Sequence, residues 1–149
     1  MDVLTFDNID AFRTMNGKEL PDSDWMLVTQ QMINDFANAT LDKQWVHVDV
    51  ERAKNESPFG KTIAHGFMSV ALLSKFLGDL LKIESIKMGL NYVRFMNPIL
   101  VNSQVKLISN IKNIEDHKNG IKVTFSCTVK IKGEEKPACV AEFLALFFE

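Results

Sequence analysis

The sequence has little of what secreted, fibrous or membrane proteins require. It holds two cysteines, Cys127 and Cys139, which are too few for a disulfide framework. Four prolines and seven glycines among 149 residues form no repeat or low-complexity tract. The most apolar segment, residues 62–81, is interrupted by Lys75 and Asp79, so it is not a membrane span. These features exclude collagen-like, disordered, transmembrane and disulfide-stapled classes.

An excess of charge of one sign is also missing. Seventeen basic and nineteen acidic residues give a net charge of −2, which creates no global field for nucleic acid or an anionic membrane. The first twelve residues carry acidic groups where a signal peptide needs positive charge and an apolar run. The length and the 46% hydrophobic content suit one globular domain. We therefore expect a single cytoplasmic domain over residues 1–149.

The first half of the chain has helical periodicity. Thr29 can cap a helix that carries Ile33 on its apolar face. Residues 40–46 show no period and are expected to form a loop, and Asp49 is expected to cap a short helix over residues 50–54. These segments precede the main helix.

The main helix follows from residue 67 and changes character along its length. Its first half is apolar on nearly every side, whereas its second half carries a polar stripe at Lys75, Asp79 and Lys82. This pattern predicts that the first half is buried and that the second half reaches water.

The second half of the chain has a period of two, which predicts strands. Residues 104–114 and 123–131 alternate apolar and polar side chains. Between them, Asn119 and Gly120 are a strong signal for a type I′ hairpin turn, because both residues tolerate positive φ. The two runs are therefore expected to pair as an antiparallel hairpin.

The last apolar run, residues 137–148, is apolar on both faces apart from Glu142. Such a strand is expected at a central position, or where a partner subunit covers it. The order of elements predicts an α+β fold, in which a long antiparallel sheet wraps around the apolar helix.

Two of the three histidines lie where they could carry chemistry. His117 stands in a charged stretch beside a turn and is expected to be solvated. His47 follows Asp42 by five residues, and a carboxylate and an imidazole on one loop can share a water, one removing a proton while the other donates. His65 and Gly66 open the main helix. Either the His65 ring bonds backbone groups there, or the glycine admits a ligand to uncapped N–H groups that stabilise an oxyanion.

Other catalytic chemistries have poor support. Cys127 and Cys139 lie on strand patterns without a helix start or a basic neighbour, so neither is expected to be a nucleophile. The sequence contains no GxSxG, GxxxxGK[ST] or GxGxxG run, which excludes hydrolase elbows and phosphate loops. Asp42 and His47 have no evident third ligand, so no metal is expected.

Three stretches, taken together, resemble the MaoC-like dehydratases. Residues 36–49 are similar to the catalytic loop of that family, residues 63–67 to the start of its central helix, and residues 91–98 to the following strand. The sequence Gln-Trp-Val-His at residues 44–47, together with residues 136–142, is most similar to the nodulation protein N-like branch of the family. The resemblance covers about residues 25–148.

The resemblance implies a hot-dog fold and a homodimer, or a dimer-based oligomer, with an acyl-thioester site at the subunit interface. The implied reaction is reversible hydration of a trans-2-enoyl thioester, of coenzyme A or acyl carrier protein, to an (R)-3-hydroxyacyl thioester without a cofactor. By this resemblance Asp42 and His47 would activate the water, and the N–H of Gly66 would polarise the thioester carbonyl. The division of base and acid between Asp42 and His47 stays open.

Four further residues are expected to contact the substrate by the same resemblance: Gln44, Trp45, His65 and Phe67. The better-studied hydratases have Asn-Pro where this chain has Gln44 and Trp45, so a longer amide and a large ring could narrow the pocket. Gln44 either bonds the substrate carbonyl or orders the loop. Two alternatives remain, a hot-dog thioesterase and a non-catalytic acyl-thioester binding protein.

Overall fold

The computed structural model describes residues 2–148 and combines five helices with one antiparallel sheet. The helices are α1 (Ile9–Arg13), α2 (Gln30–Thr40), α3 (Trp45–Val48), α4 (Val50–Glu56) and α5 (Gly66–Leu80). The strands are β1 (Met26–Leu27), β2 (Ser85–Phe95), β3 (Gln104–His117), β4 (Gly120–Ile131) and β5 (Cys139–Phe148). Their order in the sheet is β1-β3-β4-β5-β2, and every neighbouring pair is antiparallel. The predicted α+β class is confirmed. Within residues 2–148 no helix is long and apolar enough to span a membrane.

The core lies between α5 and one face of the sheet. Alternate residues of β3, β4 and β5 are buried on that face, as the period of two predicts. From α5, Leu73 and Phe76 enter the same cluster with at most 1% of their surface exposed. Each such side chain contributes about 1.5–3 kcal/mol when it is fully buried. This burial holds the helix on the sheet and so fixes where its first turn lies.

Burial of α5 runs along one face rather than around its first half. Phe67, in the first turn, is 69% exposed, and Ala71 is exposed as well. Phe76 and Leu80, in the second half, are buried. The prediction that the first half is buried on all sides is therefore wrong for the single chain. The reason is geometric, because the sheet covers the helix from one side for its whole length.

The helix caps predicted from the sequence are confirmed. The Thr29 side chain accepts the N–H of Met32 at 3.2 Å, and the Asp49 side chain accepts the N–H of Arg52 at 3.0 Å. The predicted loop over residues 40–46 is shorter than expected, because α2 continues to Thr40 and α3 begins at Trp45.

The hairpin between β3 and β4 is confirmed, but its turn is displaced by one residue. His117 pairs with Gly120, so the two central residues of the turn are Lys118 and Asn119. Of these two only Lys118 has a positive φ, at 43°, whereas a type I′ turn requires positive values at both. Glycine is needed at position 120 for a different reason. A Cβ there would lie 2.0 Å from the carbonyl oxygen of Phe147.

Strand β5 lies between β4 and β2, so the predicted central position is confirmed. Its one charged residue, Glu142, is on the outer face, where Lys112 and Asn91 both donate to its carboxylate. The hydrogen bond from Lys112 lowers the pKa of Glu142, so the residue stays ionised within an otherwise apolar strand.

Two glycine-to-alanine substitutions should have opposite effects on stability. Gly120→Ala places a methyl group against the Phe147 carbonyl, so we expect a loss of about 1–3 kcal/mol. Gly78→Ala lies in α5, has no atom within 4 Å of the new methyl group, and should gain up to about 1 kcal/mol from helix propensity. Urea unfolding of both variants measures this difference. An unchanged free energy of unfolding for Gly120→Ala would contradict the close approach.

Candidate active site

The segment that leads into α5 is held between two other parts of the chain. The N–H of Ile63 donates to Val46 in α3 at 3.1 Å, and the N–H of Ala64 donates to Ile99 at 2.8 Å. One residue earlier, the carbonyl of Thr62 accepts the N–H of Val101 at 3.0 Å. These backbone bonds fix the start of α5 beside α3, which carries His47 and directly follows the loop that carries Asp42.

A glutamine that the sequence analysis did not single out ties the same elements together. Gln30 donates from Nε2 to the backbone carbonyl of His47 at 2.8 Å and to Asn34 Oδ1 at 2.9 Å. Its Oε1 accepts the hydroxyl of Thr62, which is 1% exposed. No local pattern marks this role of Gln30 in the sequence, because the two partners that it joins, His47 and Thr62, are 17 and 32 residues away.

His47 is half-buried and its tautomer is set by the backbone. Its Nδ1 lies 2.7 Å from the carbonyl oxygen of Ile63, and a carbonyl can only accept, so Nδ1 carries the proton. In the neutral ring Nε2 therefore holds a free lone pair. Burial lowers the pKa of His47 and His65 lowers it further, while the Ile63 carbonyl and Asp42 oppose the shift. The ring is therefore suited to accept a proton at Nε2.

His65 is buried, with 3% of its surface exposed, and bonds the backbone rather than the solvent. Its Nε2 donates to the backbone carbonyl of Asp42 at 2.8 Å, so the ring bonds the backbone of the loop after α2 and not the backbone of the helix start, where the sequence analysis expected its partner. The ring stacks on His47 with centroids 3.8 Å apart and 22° between the planes, and it also contacts Phe36 at 4.9 Å. Its Nδ1 has no hydrogen-bond partner.

Asp42, His47 and His65 converge, with potential ligand atoms that lie within 4.8 Å of one another. Asp42 is exposed, whereas His47 is half-buried and His65 is buried. The sequence did not indicate His65 as a third ligand. The stack nevertheless suits a metal ion poorly, because each lone pair lies in its ring plane. Two nearly parallel rings 3.8 Å apart cannot both point at one ion at about 2.0–2.1 Å.

A cavity of about 310 Å³ adjoins His47 and the first turn of α5. Its polar lining comes from His47, Gly66, Ser69 and Asn97, and the rest is apolar: Phe59, Ile63, Ala64, Phe95, Met96, Pro98, Ile99 and Ala138. Gly66 is the first residue of α5. The side chain of the N-cap residue, His65, makes no capping hydrogen bond to the helix. A Cβ at Gly66 would lie 3.0 Å from the Phe95 ring, so a side chain there would crowd the cavity wall. An apolar chain with a carbonyl at one end fits such a lining.

The remaining predicted substrate contacts lie outside this cavity lining. Trp45 packs under the Arg52 guanidinium, 4.3 Å from its ring, and Gln44 is exposed at the start of α3. Phe67 is exposed and touches Phe95 edge to face at 5.6 Å, so it borders the cavity through a neighbour. Contact of these three residues with substrate stays a prediction.

The two cysteines are buried in the core. Desolvation raises the pKa of Cys127 to about 12 and that of Cys139 to about 11, so both are thiols at neutral pH. Neither lies in the cavity lining, which agrees with the expectation that they pack as small apolar residues.

Comparison with known proteins places this geometry in a family. The family model for the MaoC-like domain matches residues 11–132. The chain therefore belongs to the MaoC-like family, as the resemblance predicted, and it is an enzyme of the dehydratase or hydratase class with a hot-dog fold.

Individual relatives agree with this class. The 3-hydroxyacyl-thioester dehydratase Z of Mycobacterium tuberculosis is 42% identical over 148 residues, covering 96% of this chain and 97% of the relative. Nodulation protein N of Rhizobium meliloti is 42% identical over 136 residues, covering 87% of this chain and 84% of the relative. An unliganded (R)-hydratase from Pseudomonas aeruginosa shares the fold, with a TM-score of 0.75 at 22% identity over 87% of this chain and 81% of that one.

The protonation of His47 can be measured directly. We expect its imidazole to titrate below the ordinary value of about 6.5, because burial disfavours the charged ring. Nuclear magnetic resonance of the ring nitrogens across pH 4–8 gives both the midpoint and the tautomer. Either a midpoint above about 6.5 or a proton on Nε2 in the neutral ring would contradict the assignment.

Proposed function

We propose that the protein catalyses the reversible hydration of a trans-2-enoyl thioester to the (R)-3-hydroxyacyl thioester, with Asp42, His47 and Gly66 as the reacting groups. One observation carries this proposal. A carboxylate oxygen of Asp42 and a ring nitrogen of His47 lie within 4.8 Å of each other, and His47 and Gly66 both line the same largely apolar cavity. The similarity to 3-hydroxyacyl-thioester dehydratase Z supports the substrate class.

In the hydration direction, Asp42 and His47 hold one water. His47 Nε2 takes a proton from this water as the water oxygen bonds to C3 of the enoyl group. The π electrons then move toward C2 and the thioester oxygen, and Asp42 stabilises the imidazolium that forms. The proton held by the pair is delivered to C2, so the water supplies both the hydroxyl group and the hydrogen. Dehydration runs through the same steps in reverse.

The thioester oxygen gains negative charge in this step, and α5 offers a place for it. N–H groups in the first turn of a helix have no partner within the helix, and the helix dipole favours negative charge there. Gly66 lines the cavity and has no side chain of its own to separate that turn from it. One such donor contributes about 10²–10³ in rate, and general acid–base catalysis about 10²–10⁴.

We also propose that two copies assemble through the edge of β2. The edge of β3 is covered, since the backbones of Gly17, Leu20 and Ser23 donate to it. Strand β2 is eleven residues long and lies at the other edge of the sheet. Among residues 2–148 it pairs only with β5. An uncovered edge of this length is a template for another strand.

Exposed apolar side chains support the same interface. They lie on or directly after β2 at Ile86, Met88, Tyr92, Phe95 and Met96. Phe95 and Met96 also line the cavity, so a second copy at this edge would border the acyl site.

Substitution of the catalytic pair tests the reaction. With crotonyl-coenzyme A, Asp42→Asn and His47→Ala should each lower kcat by about 10²–10⁴, because each removes one half of the proton-transfer pair. Loss of the enoyl absorbance measures the rate. His117→Ala, on a histidine outside the site, is the matched control and should keep wild-type activity. Wild-type rates in both site variants would overturn the mechanism, and release of free thiol would indicate a thioesterase instead.

The assembly has its own test. Light scattering after gel filtration should give the wild-type protein a mass of twice the 16.9 kDa chain or a multiple of that. Ile86→Lys combined with Met88→Lys should shift the protein toward the monomer, because charges on an edge strand oppose pairing. Leu27→Lys, at the opposite edge of the sheet, is the control and should leave the mass unchanged. A monomeric wild type, or a double variant with wild-type mass, would contradict the β2 interface.

A further inference from the structure

We infer that His65 is a positioning residue that sets the place of the Asp42 carboxylate, rather than a residue that contacts substrate. The inference rests on the proposed function, because it explains how the Asp42–His47 pair is held. His65 is buried, does not line the cavity, and sits next to Gly66 at the start of α5. Any role in the reaction must therefore pass through its neighbours.

The connection to Asp42 is a single hydrogen bond across 23 residues of sequence. Nε2 of His65 donates to the Asp42 carbonyl at 2.8 Å. Asp42 lies directly after Leu41, whose backbone is left-handed at φ 64°, and it is exposed. Between the end of α2 and the start of α3, this bond joins the loop backbone to the helix that carries Gly66. It therefore links the place of the carboxylate to the place of the proposed oxyanion donor.

The burial of His65 does not by itself account for a histidine at this position. Its ring lies between aromatic neighbours, His47 at 3.8 Å and Phe36 at 4.9 Å, where a phenylalanine could pack similarly. A histidine there leaves Nδ1 buried and without a partner, which is unfavourable for folding. What phenylalanine lacks is the donor to Asp42. The chemistry of the position thus points to the Nε2–H group as the feature that matters.

Two substitutions separate the donor from the ring. His65→Phe keeps an aromatic ring beside His47 and removes the donor, whereas His65→Gln removes the ring and keeps an amide N–H that can reach the place of Nε2. We expect kcat with crotonyl-coenzyme A to fall about 10–100-fold in His65→Phe with little change in KM, as when an orienting hydrogen bond is lost. His65→Gln should recover most of that loss. Ile121→Ala, a core substitution in β4 at a residue that does not line the cavity, is the control for lowered stability.

Three results of these kinetic measurements would contradict the inference. A wild-type kcat in His65→Phe, equal losses in the Phe and Gln variants, or an equal loss in Ile121→Ala at matched melting temperature would each overturn the positioning role. A second readout does not depend on turnover. Backbone order parameters of residues 41–44 should fall below about 0.6 in His65→Phe and stay near about 0.85 in wild type and His65→Gln.

An inactive wild type would overturn the proposed function alone, and the order parameters would then decide the role of His65. Unchanged order parameters in His65→Phe would overturn the anchoring of the loop, whatever the activity of the wild type.

Discussion

The packing of α5 against the sheet is the constraint on which the site depends. Leu73 and Phe76 enter the core formed by β3, β4 and β5, and this burial sets where the first residue of α5 lies relative to the sheet. The first turn then lies next to the segment that bonds Val46 and Ile99. A shift of the helix by one turn would move Gly66 about 5.4 Å from that segment. The chemistry at its N-terminus therefore depends on hydrophobic contacts deep in the core.

A second feature of the site is that the backbone sets the state of both imidazoles. The carbonyl of Ile63 holds the proton of His47 on Nδ1, and the carbonyl of Asp42 holds the proton of His65 on Nε2. Because carbonyls only accept, neither ring can exchange its tautomer without losing a bond. In the neutral rings His47 keeps its lone pair on Nε2, and of these two imidazoles only His47 lines the cavity. Partial burial lowers the pKa of His47 and so favours its neutral ring, in which Nε2 carries this lone pair.

The buried and the exposed apolar side chains have different roles in this fold. The inner face of the sheet and the inner face of α5 stabilise the chain. The exposed side chain of Phe95, at the end of β2, instead lines the cavity, and the exposed ring of Phe67 contacts it. A single chain leaves more apolar surface there than its own stability uses, which is typical of an interface.

The sequence by itself determined the features that depend on neighbours along the chain. The apolar pattern identified α2, α5 and the strands β3, β4 and β5, the caps at Thr29 and Asp49 were readable from residue type, and the spacing of Asp42, His47 and Gly66 indicated the family. These are local properties, since each depends on residues a few positions apart.

Only the tertiary structure decided the contacts between distant segments. The stack of His65 on His47, its bond to the Asp42 carbonyl and the bridge from Gln30 join residues 17–32 positions apart, and no periodicity encodes them. The exposure of Phe67 likewise depends on which side of α5 the sheet covers. Packing sets such contacts, because a side chain's partners are known only when the whole chain has folded around the helix.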